Sequence, residues 1–248
     1  TSYGGTDSLV GGAGDDTYYV GALDVVTELA GEGTDLVWCA ATWTMSANLE
    51  NLSLTGTGTD ATGNDLNNAL QGNLRDNKLS GGGGNDHIVA AGGQDTLLGN
   101  TGADSLDGGD GADSLNGGAG QDSLLGGAGN DVIDLSGVTD GNVVYEIEGG
   151  AGDDVIKLGA GRGSVKGGEG DDEIHGSDGD DVIWGEGGSD WIDAKGGNDV
   201  IFADKGKVSD DGLVITAGAS LTDGNDFVIG GAGSDFIVGG GGADRIGG

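Results

Sequence analysis

Aspartate recurs at nine-residue intervals along much of this 248-residue chain, as in the segment GGAGND over 126–131. Oxygen donors at a fixed period form rows when repeats stack, and hard cations prefer such donors. The aspartates at this position are therefore predicted to be metal ligands. They are Asp86, Asp95, Asp104, Asp113, Asp122 and Asp131 within 81–134, Asp154, Asp172, Asp181, Asp190 and Asp199 within 149–202, Asp226, Asp235 and Asp244 within 221–247, and the isolated Asp16.

The surrounding nonapeptide, GGxGxDxUx with U aliphatic, predicts a turn followed by a short strand. Several glycines in each repeat disfavour a helix, at about 1 kcal/mol each relative to alanine. In a strand the middle side chain points away from its two neighbours, so the aliphatic residue is expected to face inward. Two nonapeptides would make one coil with a strand on each side, and the coils would stack as a parallel solenoid.

Composition indicates that such a solenoid needs a cation. The formal charge is −34, with 60 glycines, no proline and a single cysteine, so no intrachain disulfide is available. Ordering nine residues costs about 9–18 kcal/mol, whereas burying one aliphatic side chain returns about 1.5–3 kcal/mol. A flexible all-oxygen shell favours Ca²⁺ over Mg²⁺. The negative charge excludes nucleic acid as a partner, and no apolar run is long enough to span a membrane.

The fifteen nonapeptides resemble the repeats-in-toxin (RTX) family of calcium-binding modules in secreted bacterial proteins. The resemblance implies an all-β fold, a right-handed parallel β-roll. It also implies that each Ca²⁺ lies between the turns of repeats n and n+2, bound by the sixth-position aspartates and turn carbonyls, with roughly nine ions in total. The implied pairs in the first block are Asp86 with Asp104, Asp95 with Asp113, Asp104 with Asp122, and Asp113 with Asp131.

Some repeats depart from the pattern in ways that predict weaker or absent sites. Repeat 158–166 has Gly163 in place of the aspartate, so the site between it and 176–184 is expected to be empty or weak. Asn68 and Asn77 stand at the sixth position within 63–80 and predict ion-free coils, since asparagine can hydrogen-bond its turn without charge. Lys195 replaces the second glycine of repeat 194–202.

Repeat phase also predicts the organisation of the chain. Residues 1–62 are expected to form an N-terminal capping β region with partial repeats, including one at Asp35. The β-roll blocks are expected over 63–134, 149–202 and 221–248, separated by excursions over 135–148 and 203–220 that bulge as loops or short strands. The chain resembles a piece of a longer protein.

Catalytic motifs are absent from the sequence, so an enzyme is not predicted, although a catalytic domain elsewhere in the parent protein is compatible with it. His87 and His175 occupy outward positions and Cys39 is expected to be a buried apolar residue. Later repeats place large apolar residues outward. Either neighbouring segments or domains cover this row, or it binds a protein partner or another subunit; the residues are Val182, Trp184, Trp191, Val200, Phe202, Phe227 and Phe236.

Three functions are compatible with these features. The first is a calcium-folded module that serves secretion, folding and spacing in a larger protein exported by the type I pathway. The second is the C-terminal module of a secreted enzyme such as a lipase, protease or alginate epimerase. The third is an adhesin or surface-layer module at the cell surface. All three place the chain outside the cell, where it would fold on binding Ca²⁺.

Overall fold

The computed structural model describes residues 5–204, 206–207, 216–217, 225–234, 236–240 and 243–247. The chain forms two compact units, Thr1–Ser123 and Leu124–Gly248. The described residues contain strands and turns and no helix, so none of them belongs to a helix that could cross a membrane. The predicted all-β class is confirmed.

The first unit is a stack of short parallel strands in two sheets. One sheet has the order β2-β4-β6-β8-β10-β12 and the other the order β13-β11-β9-β7-β5, while β1 pairs with β3. The strands are β1 (Ser8–Leu9), β2 (Thr17–Val20), β3 (Val25–Val26), β4 (Leu36–Cys39), β5 (Trp43–Thr44), β6 (Asn51–Leu54), β7 (Asp60–Thr62), β8 (Ala69–Gln71), β9 (Lys78–Gly83), β10 (His87–Val89), β11 (Thr96–Thr101), β12 (Ser105–Asp110) and β13 (Ser114–Ala119).

The second unit repeats this architecture. Its sheets have the orders β14-β16-β18-β20-β22-β26 and β27-β25-β21-β19-β17-β15, and β23 pairs with β24. The strands are β14 (Ser123–Ala128), β15 (Val132–Asp134), β16 (Val144–Ala151), β17 (Val155–Lys157), β18 (Arg162–Glu169), β19 (Glu173–His175), β20 (Val182–Gly187), β21 (Trp191–Asp193), β22 (Val200–Asp204), β23 (Gly206–Lys207), β24 (Thr216–Ala217), β25 (Phe227–Ile229), β26 (Phe236–Val238) and β27 (Arg245–Gly247).

Register follows the repeat, because each strand pairs with the strand two nonapeptides away. Ile88 lies opposite Leu106, and Leu97 lies opposite Leu115. The inward direction of the eighth position is confirmed, since these side chains are at most 1% exposed. Ile246 is an exception at 50% exposure, because β27 is the last strand of its sheet. Each unit is thus a parallel β-solenoid with an aliphatic core one residue wide on each side.

The repeat phase predicts an excursion over 135–148, but the last part of this segment forms a strand of the solenoid. Val144–Ala151 forms β16, which pairs with β18 so that Tyr145 lies opposite Gly163 and Ile147 opposite Val165. Residues 140–148 therefore occupy the place of a nonapeptide in which tyrosine replaces the aspartate. Tyr145 is completely buried, and its hydroxyl donates to the carbonyl of Ala160 at 3.0 Å. The repeat pattern did not identify this turn and strand because the turn, residues 140–145, has only one glycine.

The other irregular regions also contain strands. Within 203–220 the structure describes the antiparallel pair β23 and β24. The parallel stack continues after this segment, since Trp191 of β21 pairs with Phe227 of β25. In the N-terminal region, β2 pairs in parallel with β4, β4 with β6 and β6 with β8. Residues before 63 therefore continue the solenoid, with coils of 15 to 19 residues.

Candidate metal sites in the turns

The sixth-position aspartates form rows along the edges of the two solenoids. Most of the described carboxylates accept, through Oδ1, a hydrogen bond from the backbone N–H of the equivalent residue one coil earlier. In the first unit, Asp86 N–H donates to Asp104 at 2.8 Å, Asp104 N–H to Asp122 at 3.0 Å, and Asp95 N–H to Asp113 at 2.7 Å. These bonds hold consecutive carboxylates in one orientation and tie the turns together.

The second carboxylate oxygen of many of these residues is buried and has no hydrogen-bond partner among the described residues. This is true of Oδ2 in Asp86, Asp95, Asp104, Asp122, Asp154 and Asp172, each of which is at most 2% exposed. A buried anionic oxygen without a donor is costly, and buried carboxylates are normally paired or bound to metals. The donor set, carboxylates with turn carbonyls, fits a hard divalent cation.

The pKa values of these aspartates are raised, as expected for buried carboxylates that lack a donor on one oxygen. Burial raises the pKa of Asp86, Asp95, Asp122 and Asp154 to about 6, against the backbone N–H bond that lowers it. Burial, opposed by its backbone hydrogen bond and aided by neighbouring carboxylates, raises the pKa of Asp172 to about 8. Burial therefore disfavours the charged form of these carboxylates, and a bound cation would stabilise it.

In most repeats a glycine lies tightly against the carboxylate, although Ala90 and Ala194 hold this position beside Asp95 and Asp199. A Cβ on Gly126 would lie 2.5 Å from Oδ2 of Asp131 and 2.5 Å from the carbonyl oxygen of Gly149. The second glycine position instead has positive φ, and several other residues adopt it: Ala91, Asn100, Glu186 and Lys195, with φ between 70° and 86°. The first position is thus constrained by contact with the carboxylate, and the second by backbone conformation.

The second unit carries an unbroken row of aspartates on one edge. N–H to Oδ1 bonds join Asp131 to Asp154 at 2.7 Å, Asp154 to Asp172 at 2.9 Å, Asp172 to Asp190 at 3.0 Å, Asp190 to Asp226 at 2.8 Å and Asp226 to Asp244 at 3.2 Å. The partners of two of these bonds are 23 and 36 residues apart. The row therefore crosses both irregular regions, where the repeat phase predicts breaks between blocks.

The opposite edge of the second unit is less regular. Asp181 N–H donates to Asp199 at 2.9 Å, and Gly163 N–H donates to Asp181 at 2.6 Å. Asp235 lies outside the described residues.

The two asparagine coils satisfy their side chains internally. Oδ1 of Asn68 accepts the N–H of Asn64 at 2.7 Å, while its Nδ2 donates to the carbonyls of Leu49 and Glu50. Asn77 repeats this arrangement with Asn73 N–H and the carbonyls of Gly58 and Thr59. The amide oxygen of Asn68 therefore lies beside Gly63, where the aspartate coils place Oδ2, and it accepts the backbone hydrogen bond that Oδ2 lacks.

Ser177 fills the equivalent space beside Asp181. Its Oγ lies 2.8 Å from the carbonyl oxygen of Gly161 and 3.0–3.1 Å from the two carboxylate oxygens of Asp181. Its backbone N–H also donates to Oδ2 at 2.8 Å. In the next coil, Lys195 Nζ donates to the carbonyl of Gly176 at 2.6 Å. Side-chain donors thus bridge turns at the place where Gly163 predicts an empty or weak site.

Beside Asp16 and Asp35, the N-terminal coils contain two carboxylates that the nonapeptide pattern does not identify, Glu28 and Glu50. Asp16 N–H donates to Oδ1 of Asp35 at 2.9 Å, and Asp35 N–H donates to Glu50 at 2.9 Å, so these residues extend the row. Ligand oxygens of Asp16, Glu28 and Asp35 lie within 4.8 Å of one another. Glu28 has no repeat spacing, and only its position in an acidic segment before a coil could have suggested it.

The cysteine and the two histidines occupy three different environments. Cys39 is buried, as expected. His87 is exposed, whereas His175 is half-buried, with Nε2 2.7 Å from Glu173 and its ring 4.8 Å from that of Trp191.

The outward aromatic row contains stacked rings and is not uniformly exposed. Trp184 lies 6.2 Å from Phe202, and Phe202 lies 6.4 Å from Phe236, between ring centroids. Phe202 is 2% exposed and Phe236 38% exposed. A continuous solvent-facing apolar row is therefore not present along the described strands.

Parallel coils, a one-residue aliphatic core and rows of buried carboxylates define a β-solenoid with an acidic, oxygen-rich edge. Comparison with protein families agrees with this class. The model of the RTX calcium-binding nonapeptide repeat matches residues 2–24, 62–97, 98–133, 146–165, 166–201 and 221–248, which is more than half of the chain. The chain belongs to this family, and it is a calcium-binding repeat module.

One curated relative is similar to a segment of this chain. Over 66 residues the chain is 41% identical to endo-1,3-1,4-beta-glycanase ExsH of Rhizobium meliloti (strain 1021). The aligned part covers 26% of this chain and 14% of that protein. The similarity is therefore confined to a small fraction of the relative.

Proposed function

We propose that this module is a calcium-dependent folding unit, in which Ca²⁺ bound between successive turns converts an extended polyanion into two β-solenoids. The observation that carries the proposal is the set of buried Oδ2 atoms without a donor, of which Asp104 and Asp122 are examples. A bound ion supplies the positive charge that each of these oxygens needs.

The ligands we propose are the sixth-position aspartates in the rows described above, together with turn carbonyl oxygens. Oδ1 keeps its backbone hydrogen bond and orients the carboxylate, while Oδ2 is left to face the ion. Glycine at the first turn position leaves room for that oxygen. The coils of Asn68 and Asn77, and the turn of Ser177, are proposed to be ion-free because the oxygen at this place already accepts a backbone N–H of its own turn.

Folding on calcium binding suits a protein that is exported before it folds. Sites built only in the folded state contribute their binding free energy to folding. Cytosolic calcium is scarce, so the chain would remain extended in the cell and would fold outside it. We therefore propose secretion, with the module acting as a folding and spacer unit of a larger protein. Similarity to a segment of a glycanase favours an enzyme as the parent over an adhesin.

The test is circular dichroism of the chain in EGTA, in Ca²⁺ and in Mg²⁺. The expected result is a coil-like spectrum in EGTA and a cooperative change to β structure at about 1 mM Ca²⁺, since extracellular calcium modules have dissociation constants of about 0.1–1 mM. Mg²⁺ at the same concentration should be a poor substitute, because it requires near-octahedral geometry.

A double variant, Asp104→Asn with Asp122→Asn, should need more Ca²⁺ for the same change. The matched control is Asp65→Asn with Asp110→Asn, which alters two exposed turn aspartates. An unchanged β spectrum of the wild-type chain in EGTA would overturn the proposal.

A further inference from the structure

Three carboxylates meet in the first coils of the first unit, where a loop glutamate lies beside two aspartates of the row. Asp16 precedes β2, Asp35 precedes β4, and Glu28 lies in the loop between β3 and β4. One oxygen from each is within 4.8 Å of the others. Asp35 and Glu28 are 1% and 5% exposed.

Glu28 is held in place by contacts that do not use its second oxygen. Its Oε1 accepts hydrogen bonds from the hydroxyl of Tyr18 and from the backbone N–H of Gly11, the latter at 3.2 Å. Its Oε2 is buried and has no hydrogen-bond partner among the residues described. A buried glutamate that lacks a donor on one oxygen, beside two more carboxylates, indicates a missing positive charge.

Electrostatics around Glu28 agree with this geometry. Burial raises its pKa, the N–H of Gly11 opposes the shift, and the charges of Asp35, Glu32 and Asp16 raise it further. Near this group the described residues supply acceptors and two donors but no cationic side chain in hydrogen-bond contact with it.

We propose that Asp16, Glu28 and Asp35 form a separate site for a hard divalent cation, Ca²⁺ under extracellular conditions. The inference rests on the proposed calcium-dependent folding and adds a site with a different ligand set. A regular site uses two aspartates from the repeat, whereas this site adds a glutamate from a loop. Three carboxylates around one divalent ion increase its attraction, and calcium affinity rises with ligand charge. The site should therefore fill before the regular ones and anchor the N-terminal coils.

The experiment compares calcium stoichiometry in the wild-type chain and in Glu28→Gln, by equilibrium dialysis with metal analysis at low free calcium. The variant removes one charge and keeps the side-chain shape. It is expected to lose one equivalent of Ca²⁺ from the tightest class. Glu32→Gln is the matched control, because Glu32 is in the same loop and its oxygen is used by Leu29 N–H instead of the cluster. The control should retain the wild-type stoichiometry.

A second measurement keeps the test independent of how well the variant folds. Wild-type crystals soaked in a lanthanide should show anomalous density between the three carboxylates. Lanthanide density between Asp104 and Asp122 with none at Glu28 would overturn the inference and leave the proposed function intact. Equal calcium stoichiometry in the wild type and Glu28→Gln would do the same. A wild-type chain that binds no calcium would overturn both.

Discussion

Oδ1 of Asp104 accepts the backbone N–H of Asp86 at 2.8 Å, while Oδ2 of the same carboxylate is buried and has no donor among the described residues. The first oxygen links one coil to the next, and the second is the atom that we propose binds the ion. This division of roles explains why the repeat requires aspartate. An asparagine at the same position, as at Asn68, donates through its amide to neighbouring carbonyls.

Replacing a single aspartate should remove metal as well as stability. Asp104→Asn is expected to lower calcium stoichiometry and raise the calcium concentration at the folding midpoint, because Asp104 faces turns on both sides. The comparison is Asp110→Asn, which is exposed and should behave like the wild type. Metal analysis of the dialysed proteins measures the loss. An unchanged stoichiometry in Asp104→Asn would contradict the assigned ligand.

Removing the hydroxyl of Ser177 should open a site that is now filled by the protein. Ser177→Gly removes the hydroxyl that contacts both carboxylate oxygens of Asp181 and restores the consensus glycine. Combining it with Gly163→Asp supplies the missing carboxylate of the preceding coil. The double variant is expected to bind one more Ca²⁺ than the wild type, and Ser189→Gly, an exposed turn serine, should bind none in addition. Calcium titration with metal analysis decides between these outcomes.

A side chain at Gly126 should strain its turn, although alanine holds the same position in two other repeats, at Ala90 and Ala194. Gly126→Ala places a Cβ 2.5 Å from Oδ2 of Asp131 and should destabilise the calcium-bound fold by about 1–3 kcal/mol through overpacking. Gly137→Ala is the control, since its Cβ would meet no atom within 4 Å. Urea unfolding in excess calcium measures both. Similar midpoints for the two variants would show that the space is not restricted.

The aliphatic core should respond as a packed interior. Leu106 is 1% exposed, so Leu106→Ala is expected to cost about 2–5 kcal/mol of unfolding free energy. Leu74 is 86% exposed, and Leu74→Ala should change the unfolding free energy by less than about 0.5 kcal/mol. Denaturant unfolding in saturating calcium provides the measurement. Equal losses would argue against the inward assignment of the eighth position.

Without calcium, the chain should become more stable as pH falls. Burial raises the pKa of Asp86 and Asp154 to about 6 and that of Asp172 to about 8, from 3.8. The folded form then binds more protons than the unfolded one. Its stabilisation is complete below about pH 4 and is lost as pH rises through about 6 to 8.

Circular dichroism of the metal-free chain should show more β structure at about pH 4 than at about pH 8. Asp172→Asn should flatten the change between about pH 6 and 8, where only the highest of these pKa values contributes. A spectrum that is independent of pH would contradict the assigned burial.

Periodicity allowed the strands and most of the candidate ligands to be predicted, because each nonapeptide contains its own turn, carboxylate and inward residue. Asp86 and Ile88, for example, could be assigned from their position in the repeat alone. Glu28 and Ser177 could not be, since their roles depend on which atoms lie beside them after the coils have stacked.

The sequence by itself determined the local conformation of each repeat and the charge that requires a cation. Tertiary structure decided which repeats become neighbours. Asp190 follows Asp172 by one repeat pair, but its next partner is Asp226, 36 residues later. That pairing depends on strand stacking, because backbone hydrogen bonds between β21 and β25 bring together turns that no local spacing connects.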